Sequence, residues 1–346
     1  MKKKNKSSQF LTLGPFNEII LLGGGKLLID LIIWLNSKNF KTKVITSPRH
    51  AKENFDKKTF FNYLKELDVD CIVSKDINSK QVKNFLKNCK KPFYLSCGAA
   101  WLFKNSTISS LFKNKLFNLH STGLPQNRGG GGFSWQIMMG VKFGYCTLHL
   151  VDNGIDTGPI IENEEFIYPA SARKPLDFIN IIQEKNFEFI KKFITKYKVA
   201  EKEIKINPQQ NYLSTYWPRL NSESSSWINW SMQDYELEKF ICAFDDPYRG
   251  AKTFLNGKIV RIKDVLLSSQ DGTFHSYQNG IVYRKGANWL CVSLKTSSLI
   301  IRQVLDEKKN DIFENVKVGD RFITPFSKLE LSYDRIIYSP TGIKIK

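Results

Sequence analysis

The run Glu18–Gly23 (EIILLG) constrains the fold of this 346-residue chain more than any other segment. Its apolar residues do not alternate with polar ones, which marks a strand buried on both faces of a sheet. Gly23-Gly24-Gly25 then turns the chain into Lys26–Asn39, where Leu27, Leu28, Leu31, Ile32 and Leu35 recur on one helical face. GGGK has the spacing of neither a dinucleotide fingerprint nor a phosphate loop, so the glycines read as a tight turn. The alternation continues with strands at Lys43–Ser47, Cys71–Ser74 and Phe93–Ser96 and helices at Lys57–Leu67 and Lys80–Cys89. It predicts an α/β fold, a Rossmann-like and mostly parallel sheet that binds ligands at the C-terminal ends of its strands.

The most legible stretch for function is Phe117–Ile161. Asn118 and His120 precede Ser121-Thr122-Gly123-Leu124-Pro125, a run of turn formers that ends a strand. Spaced i and i+2, the two side chains share one face of that strand. Tyr145–Val151 reads as a second buried strand, closed by Asn153-Gly154, with Asp156 just beyond it in Gly154-Ile155-Asp156-Thr157-Gly158-Pro159.

An amide, an imidazole and a carboxylate at strand ends suit acyl transfer to an amine. Attack on a formyl carbon places negative charge on oxygen, to which the amide NH2 of Asn118 or a protonated His120 can donate. The attacking nitrogen becomes cationic and must lose a proton, which an imidazole or a carboxylate accepts. Asp156 beside His120 is expected to favour imidazolium and raise its pKa by charge proximity. On residue chemistry alone, a single His after a strand is more often a structural residue than a catalytic one.

The combination of Asn118-Leu119-His120, Leu124-Pro125, Arg128-Gly129 and Asp156-Thr157-Gly158 resembles the signature of the folate-dependent formyltransferase family. That family includes methionyl-tRNA and sugar-nucleotide N-formyltransferases. The resemblance implies catalytic roles for Asn118, His120 and Asp156, with N10-formyltetrahydrofolate as formyl donor and no metal. It also implies that Trp101, Leu102 and Phe103, with Asp152, Gly154 and Ile155 opposite, enclose the folate. Trp101 and Phe103 read equally well as core aromatics. The chain differs from the family pattern at Gly123 and at the block Gly129–Gly132, both on the expected acceptor side.

The same resemblance divides the chain into a catalytic domain over residues 1–200, a linker over 201–230 and a C-terminal domain over 231–346. The linker phrase Tyr212–Trp230, with Tyr216, Pro218, Arg219, Ile228 and Trp230, and the segment Asp245–Ala251 carry it onward. A helix is expected over Lys174–Lys198 and another over Asp234–Phe244. Short strands with Asn-Gly and Asp-Gly turns after Phe254 predict a small OB-like β-barrel, with Val316–Phe322 closing it. Ile323–Lys346 is left unassigned.

Composition narrows the classes. With 42% hydrophobic and 25% charged residues the chain reads as globular. No apolar run is long enough to span a bilayer, and basic Met1–Ser8 lacks the h-region of a signal peptide, so a cytoplasmic protein without a membrane partner is expected. The six cysteines show no CxxC spacing and the four histidines are dispersed, which suggests neither disulfides nor a metal site. The net charge of +19 comes from 42 Lys and ten Arg spread along the chain, more like a compositional bias than a gathered phosphate-binding patch.

Two acceptors compete. A tRNA formyltransferase is expected to carry a basic insertion after the second strand, whereas Thr46–Lys58 (TSPRHAKENFDKK) is short. The glycine block and the TYWPRL phrase resemble sugar-nucleotide enzymes, with main chain at Gly129 and Gly130 close to a hexose and Arg128 able to pair with a phosphate. A nucleotide-linked amino sugar is therefore the expected acceptor and initiator Met-tRNA the alternative. A third, non-enzymatic reading is RNA binding by a basic barrel through Tyr277 and Trp289. Oligomeric state is not legible.

Overall fold

The computed structural model describes residues 10–130 and 132–345, so the basic Met1–Ser8 run and Gly131 of the glycine block lie outside the described residues. Its first half is built on seven strands: β1 (Glu18–Gly23), β2 (Lys41–Thr46), β3 (Asp70–Val73), β4 (Pro92–Cys97), β5 (Leu116–His120), β6 (Phe143–Leu150) and β7 (Ile160–Ile167). They lie side by side in the order β7-β6-β5-β4-β1-β2-β3. The pairings among β1 to β5 are parallel, while β6 and β7 add antiparallel at one edge. This is the Rossmann-like mixed sheet expected from the apolar runs, and every residue of the central strand β1 is buried.

Helix α1 (Lys26–Ser37) starts at Gly25 and buries Leu28, Leu31, Ile32 and Leu35, spaced to face the sheet together. The second helix, α2 (Phe60–Glu66), begins later than its apolar pattern suggests. Asp56 and Lys57 take positive φ in a hairpin of Asn54–Phe55 with Lys58–Thr59, and the Thr59 side chain caps the helix at Asn62 N. α3 (Lys80–Leu86) and α4 (Asn105–Phe112) pack Val82, Leu86, Ile108 and Phe112 onto one face of the sheet with Trp101 and Phe103. The other face carries α1 and the C-terminal half of the long helix α6 (Pro175–Tyr197).

After β2, the chain buries His50 against Gly24, where even a Cβ would sit 2.6 Å from the His50 Cβ. Burial, then the neighbouring Arg49, push the His50 pKa down to about 4. The unfolded chain therefore takes up a proton near pH 6.5 that the folded chain refuses until about pH 4. Stability contributed by this neutral ring is complete above pH 6.5 and is lost as pH falls to 4, by about 3 kcal/mol. Urea unfolding of the protein and of His50→Gln at pH 7 and pH 4.5 should show a shallower loss in the variant.

The second half is a six-stranded antiparallel sheet of β8 (Ala251–Leu255), β9 (Lys258–Ser268), β10 (Val282–Lys285), β11 (Leu290–Ser293), β12 (Ser298–Asp306) and β13 (Phe322–Ile323), ordered β10-β11-β12-β9-β8-β13. It curls until its edges meet: Val282 N–H donates to Asp320 O and Phe322 N–H to Gly280 O, each at 2.8 Å. α7 (Asp234–Ala243) packs over it. Ile137 from α5 (Gly132–Met138), Tyr168 and Phe178 of α6 join the same core, so α6 enters both cores and ties the two halves together. The six cysteines are free. No helix among the described residues is long and apolar enough to cross a membrane.

The unassigned C-terminal residues form a short helix, Phe326–Ser332, and a hairpin of Ile336–Ser339 with Gly342–Ile345. That hairpin returns to the first half, where Arg49 N–H donates to Pro340 O at 3.0 Å.

Candidate active site

Strand register assembles the centre of the site. Asn118 of β5 lies opposite Ser96 of β4 on one side and His149 of β6 on the other. The Ser96 hydroxyl donates to Asn118 Oδ1 at 2.7 Å, which fixes the amide orientation and leaves the NH2 group 3.0 Å from His149 Nε2. His149 Nδ1 donates to Leu150 O at 2.8 Å, and Nε2 accepts one Asn118 N–H. The second N–H of that amide remains for a ligand. A register shift between Leu148 and His149 in the β6–β7 pairing marks a bulge at this residue.

His120 closes β5. Its Nε2 lies 2.6 Å from Thr122 Oγ1 and 3.2 Å from Asn127 O, and the Thr122 hydroxyl donates to Asn127 O at 2.8 Å. With the hydroxyl proton committed to that carbonyl, Nε2 must carry the ring hydrogen and Nδ1 carries the lone pair. Nδ1 sits 3.7 Å from Asp156 Oδ1, and His149 Nε2 is 3.6 Å from the same oxygen. Asn118, His120 and Asp156 thus converge, as the strand-end argument expects, and His149 and Ser96 join them. Neither of those two carries a local sequence signal, because only the cross-strand register places them there.

One electrostatic expectation is corrected. The His120 pKa is lowered, not raised: desolvation outweighs the pull of Asp156, and His149 adds to the lowering. The ring is neutral at pH 7 and able to take a proton. Burial would raise the pKa of Asp156, but His120, His149 and the Gly129 N–H at 3.0 Å from Oδ2 together hold it well below the usual carboxylate range. Asp156 itself has φ of 54° in the loop after β6, and Gln209 clamps that loop by donating to Asp156 O at 2.9 Å and Gly158 O at 2.6 Å.

Two cavities meet at this cluster and share Ala99, Asn118, Gly129, Gly130, Asp156 and Arg219 in their walls. The first, of about 140 Å³, is lined by Trp101, Leu102, Phe103, Asp152, Gly154 and Ile155. Trp101 and Phe103 line it while most of each side chain is buried in the core, Trp101 with its indole N–H on Lys75 O at 3.2 Å. Leu102, 79% exposed, and Ile155, 40% exposed, offer the slot uncovered apolar surface. A slot with this apolar surface, edged by main chain and by the carboxylates of Asp152 and Asp156, fits a flat bicyclic ring with polar edges. The second, of about 280 Å³, is lined by His120, Thr122, Asn127, Phe133 and Gln136 among others.

Arg128 lines neither cavity. It is buried and turned the other way, its Nε donating to Gln209 Oε1 at 3.0 Å and its terminal nitrogens to Asn211 Oδ1 at 3.2 and 3.3 Å. It anchors the linker, and the arginine in the cleft is Arg219. Gly129 and Gly130 do line both cavities, yet the space of their missing side chains is filled by the linker, whose Tyr216–Trp217 strand pairs in parallel with Arg128–Gly129. At Gly129, with φ of 104°, a Cβ would stand 2.3 Å from Trp217 O. Gly129→Ala should therefore cost about 1–3 kcal/mol in denaturant unfolding. It should also reduce turnover, because the same backbone N–H holds Asp156. Among the described residues no group of three His, Cys, Asp or Glu side chains is arranged to hold a metal ion.

A Rossmann-like sheet with this cluster at its strand ends is thus followed by a curled antiparallel barrel. Residues 221–313 match the family model of the formyl transferase C-terminal domain. The chain is similar to the methionyl-tRNA formyltransferase of Finegoldia magna, 22% identical over 85% of this chain and 93% of that protein. In fold it is similar to WlaRD, a sugar 3N-formyl transferase solved in the presence of dTDP and 5-N-formyl-THF. That likeness has a TM-score of 0.61 and 18% identity, covering 84% of this chain and 98% of the other. The N-formyltransferase of Helicobacter canadensis, solved with folinic acid and dTDP-3-aminofucose, gives 0.60 and 19% over 83% and 99%. The chain thus resembles formyltransferases along most of its length, and residues 221–313 carry the match to their C-terminal domain.

Proposed function

We propose that this protein moves a formyl group from N10-formyltetrahydrofolate to the primary amine of a nucleotide-linked amino sugar, with Asn118, His120 and Asp156 as its catalytic residues. The observation that carries the reading is the position of Asn118 and Asp156 in the shared wall of two cavities, a slot for the folate and a second pocket for the amine, with His120 in the wall of the second. The folate, when bound, supplies an activated formyl carbon. The free N–H of Asn118 donates to the formyl oxygen as the amine attacks and charge moves onto that oxygen. Nδ1 of neutral His120 takes the proton that the amine sheds on forming the new N–C bond, Asp156 stabilises the resulting imidazolium, and the imidazolium returns that proton to N10 as the bond between N10 and the formyl carbon breaks and tetrahydrofolate leaves. His149 and Ser96 hold the Asn118 amide in its working orientation.

The short segment between β2 and α2 and the likeness to sugar N-formyltransferases over nearly their full lengths support the sugar. The methionyl-tRNA formyltransferase relatives and the +19 net charge favour a second reading, formylation of initiator Met-tRNA. Incubation with N10-formyltetrahydrofolate and either a panel of nucleotide-linked amino sugars or charged initiator tRNA separates them by mass spectrometry. A sugar gaining one formyl group supports the proposal, and formylation of the tRNA alone overturns it.

A further inference from the structure

We infer that Arg49 and Arg219, gathered on the ring of Tyr338, form a diphosphate-binding subsite at the mouth of the acceptor pocket, so that the C-terminal hairpin completes the substrate site. Three distant parts of the chain meet here: the turn after β2, the linker, and the last hairpin. The Arg49 guanidinium lies 5.2 Å from the centre of the Tyr338 ring and that of Arg219 lies 5.4 Å from it. The hairpin is tied to both arms, through the Arg49 N–H to Pro340 O at 3.0 Å and through the Tyr338 hydroxyl, which donates to Leu220 O at 3.2 Å.

What makes this a binding site is positive charge that its surroundings only partly offset. Arg49 and Arg219 take part in none of the ion pairs found among the described residues, although five other arginines do. Arg49 Nε is buried without a hydrogen-bond partner, and its terminal nitrogen reaches only the His50 ring at 2.7 Å. Glu53 attracts Arg49 without forming an ion pair with it, its carboxylate approaching His50 Nε2 at 3.7 Å instead. A tyrosine face offsets each cation by only about 0.5–1 kcal/mol, while two guanidiniums sharing it repel one another. A doubly charged group between them relieves that repulsion and suits their planar, bidentate geometry. Arg219 lines both cavities and its stem packs on Gly130, where a Cβ would come within 2.4 Å of its Cγ, so the pair is fixed relative to His120 and Asp156.

The diphosphate belongs to the nucleotide-linked acceptor, and to that extent the inference rests on the proposed function. The test is calorimetric titration of the full chain with dTDP, with inorganic pyrophosphate and with 5-formyltetrahydrofolate. Arg49→Gln and Arg219→Gln should each weaken dTDP and pyrophosphate binding about tenfold or more. Tyr338→Ala should weaken both several-fold, and Tyr338→Phe, which keeps the ring, should do so less. Affinity for 5-formyltetrahydrofolate should stay within twofold in Arg49→Gln and in both Tyr338 variants, whose side chains do not line the folate slot, and this also shows that they are folded. No binding of dTDP or pyrophosphate by the unaltered protein, unchanged affinity in both Arg variants, or a loss in Arg49→Gln that falls on the folate instead would overturn the inference. Formyl transfer assayed in parallel separates the two ideas. Sugars formylated with unaltered kcat/KM in the Arg variants sink the subsite alone. Diphosphate binding that depends on the pair, without formylation of any sugar, sinks the function alone.

Discussion

Asp156→Asn should lower kcat roughly 10²- to 10⁴-fold while leaving folate affinity close to that of the unaltered protein. The amide keeps the shape of the carboxylate and removes its charge. In the native site that charge stands 3.7 Å from His120 Nδ1, the atom placed to receive the proton from the attacking amine. Without it the imidazolium formed during the reaction has no counter-ion in a desolvated cleft. The pH dependence gives a second readout with a defined sign. Neutral His120 is the active form, so the rate falls as pH drops through its pKa, which already lies below the ordinary 6.5 because of desolvation. Removing Asp156 removes an influence that raises this pKa, so the acidic limb should move further toward acid in the variant. Undiminished kcat, or a limb displaced toward neutral pH, would remove Asp156 from the mechanism.

Asn118→Ala should cost roughly 10²–10³ in kcat, the usual penalty for deleting one donor to a developing oxyanion. The substitution also strips partners from the Ser96 hydroxyl and His149 Nε2, bonded to the amide at 2.7 and 3.0 Å. Ser96→Ala makes the comparison informative, since it retains the amide but frees it to rotate. Its expected loss is smaller, about tenfold. Single-turnover rates with saturating folate would separate these variants from any that merely bind the donor poorly. A near-native rate in Asn118→Ala would show that the oxyanion is stabilised elsewhere.

Legibility of the fold followed burial. The central strand and α1 are apolar in unbroken or 3.6-residue patterns because they are packed on all sides or along one stripe, and such patterns survive in a linear reading. The start of α2 was hidden because Asp56 and Lys57 adopt positive φ in a hairpin that few local residues announce. β7 carries Glu162, Glu164 and Glu165 on an edge of the sheet and so shows little apolar signal. The C-terminal hairpin was illegible for a related reason: it is held by main-chain and aromatic contacts to remote segments, and its own sequence is not an amphipathic pattern.

The order of residues alone determined that Asn118 and His120 share a strand face and that a turn brings an acid, Asp156, near a strand's end, because spacing of two along a strand and turn chemistry are local properties. Tertiary structure alone decided that His149 and Ser96 flank Asn118, that Arg128 faces the linker while Arg219 faces the cleft, and that His120 is made less basic. Those outcomes depend on which strands are neighbours, on their register, and on how much water the assembled cleft excludes, and each is set by residues far apart in the chain.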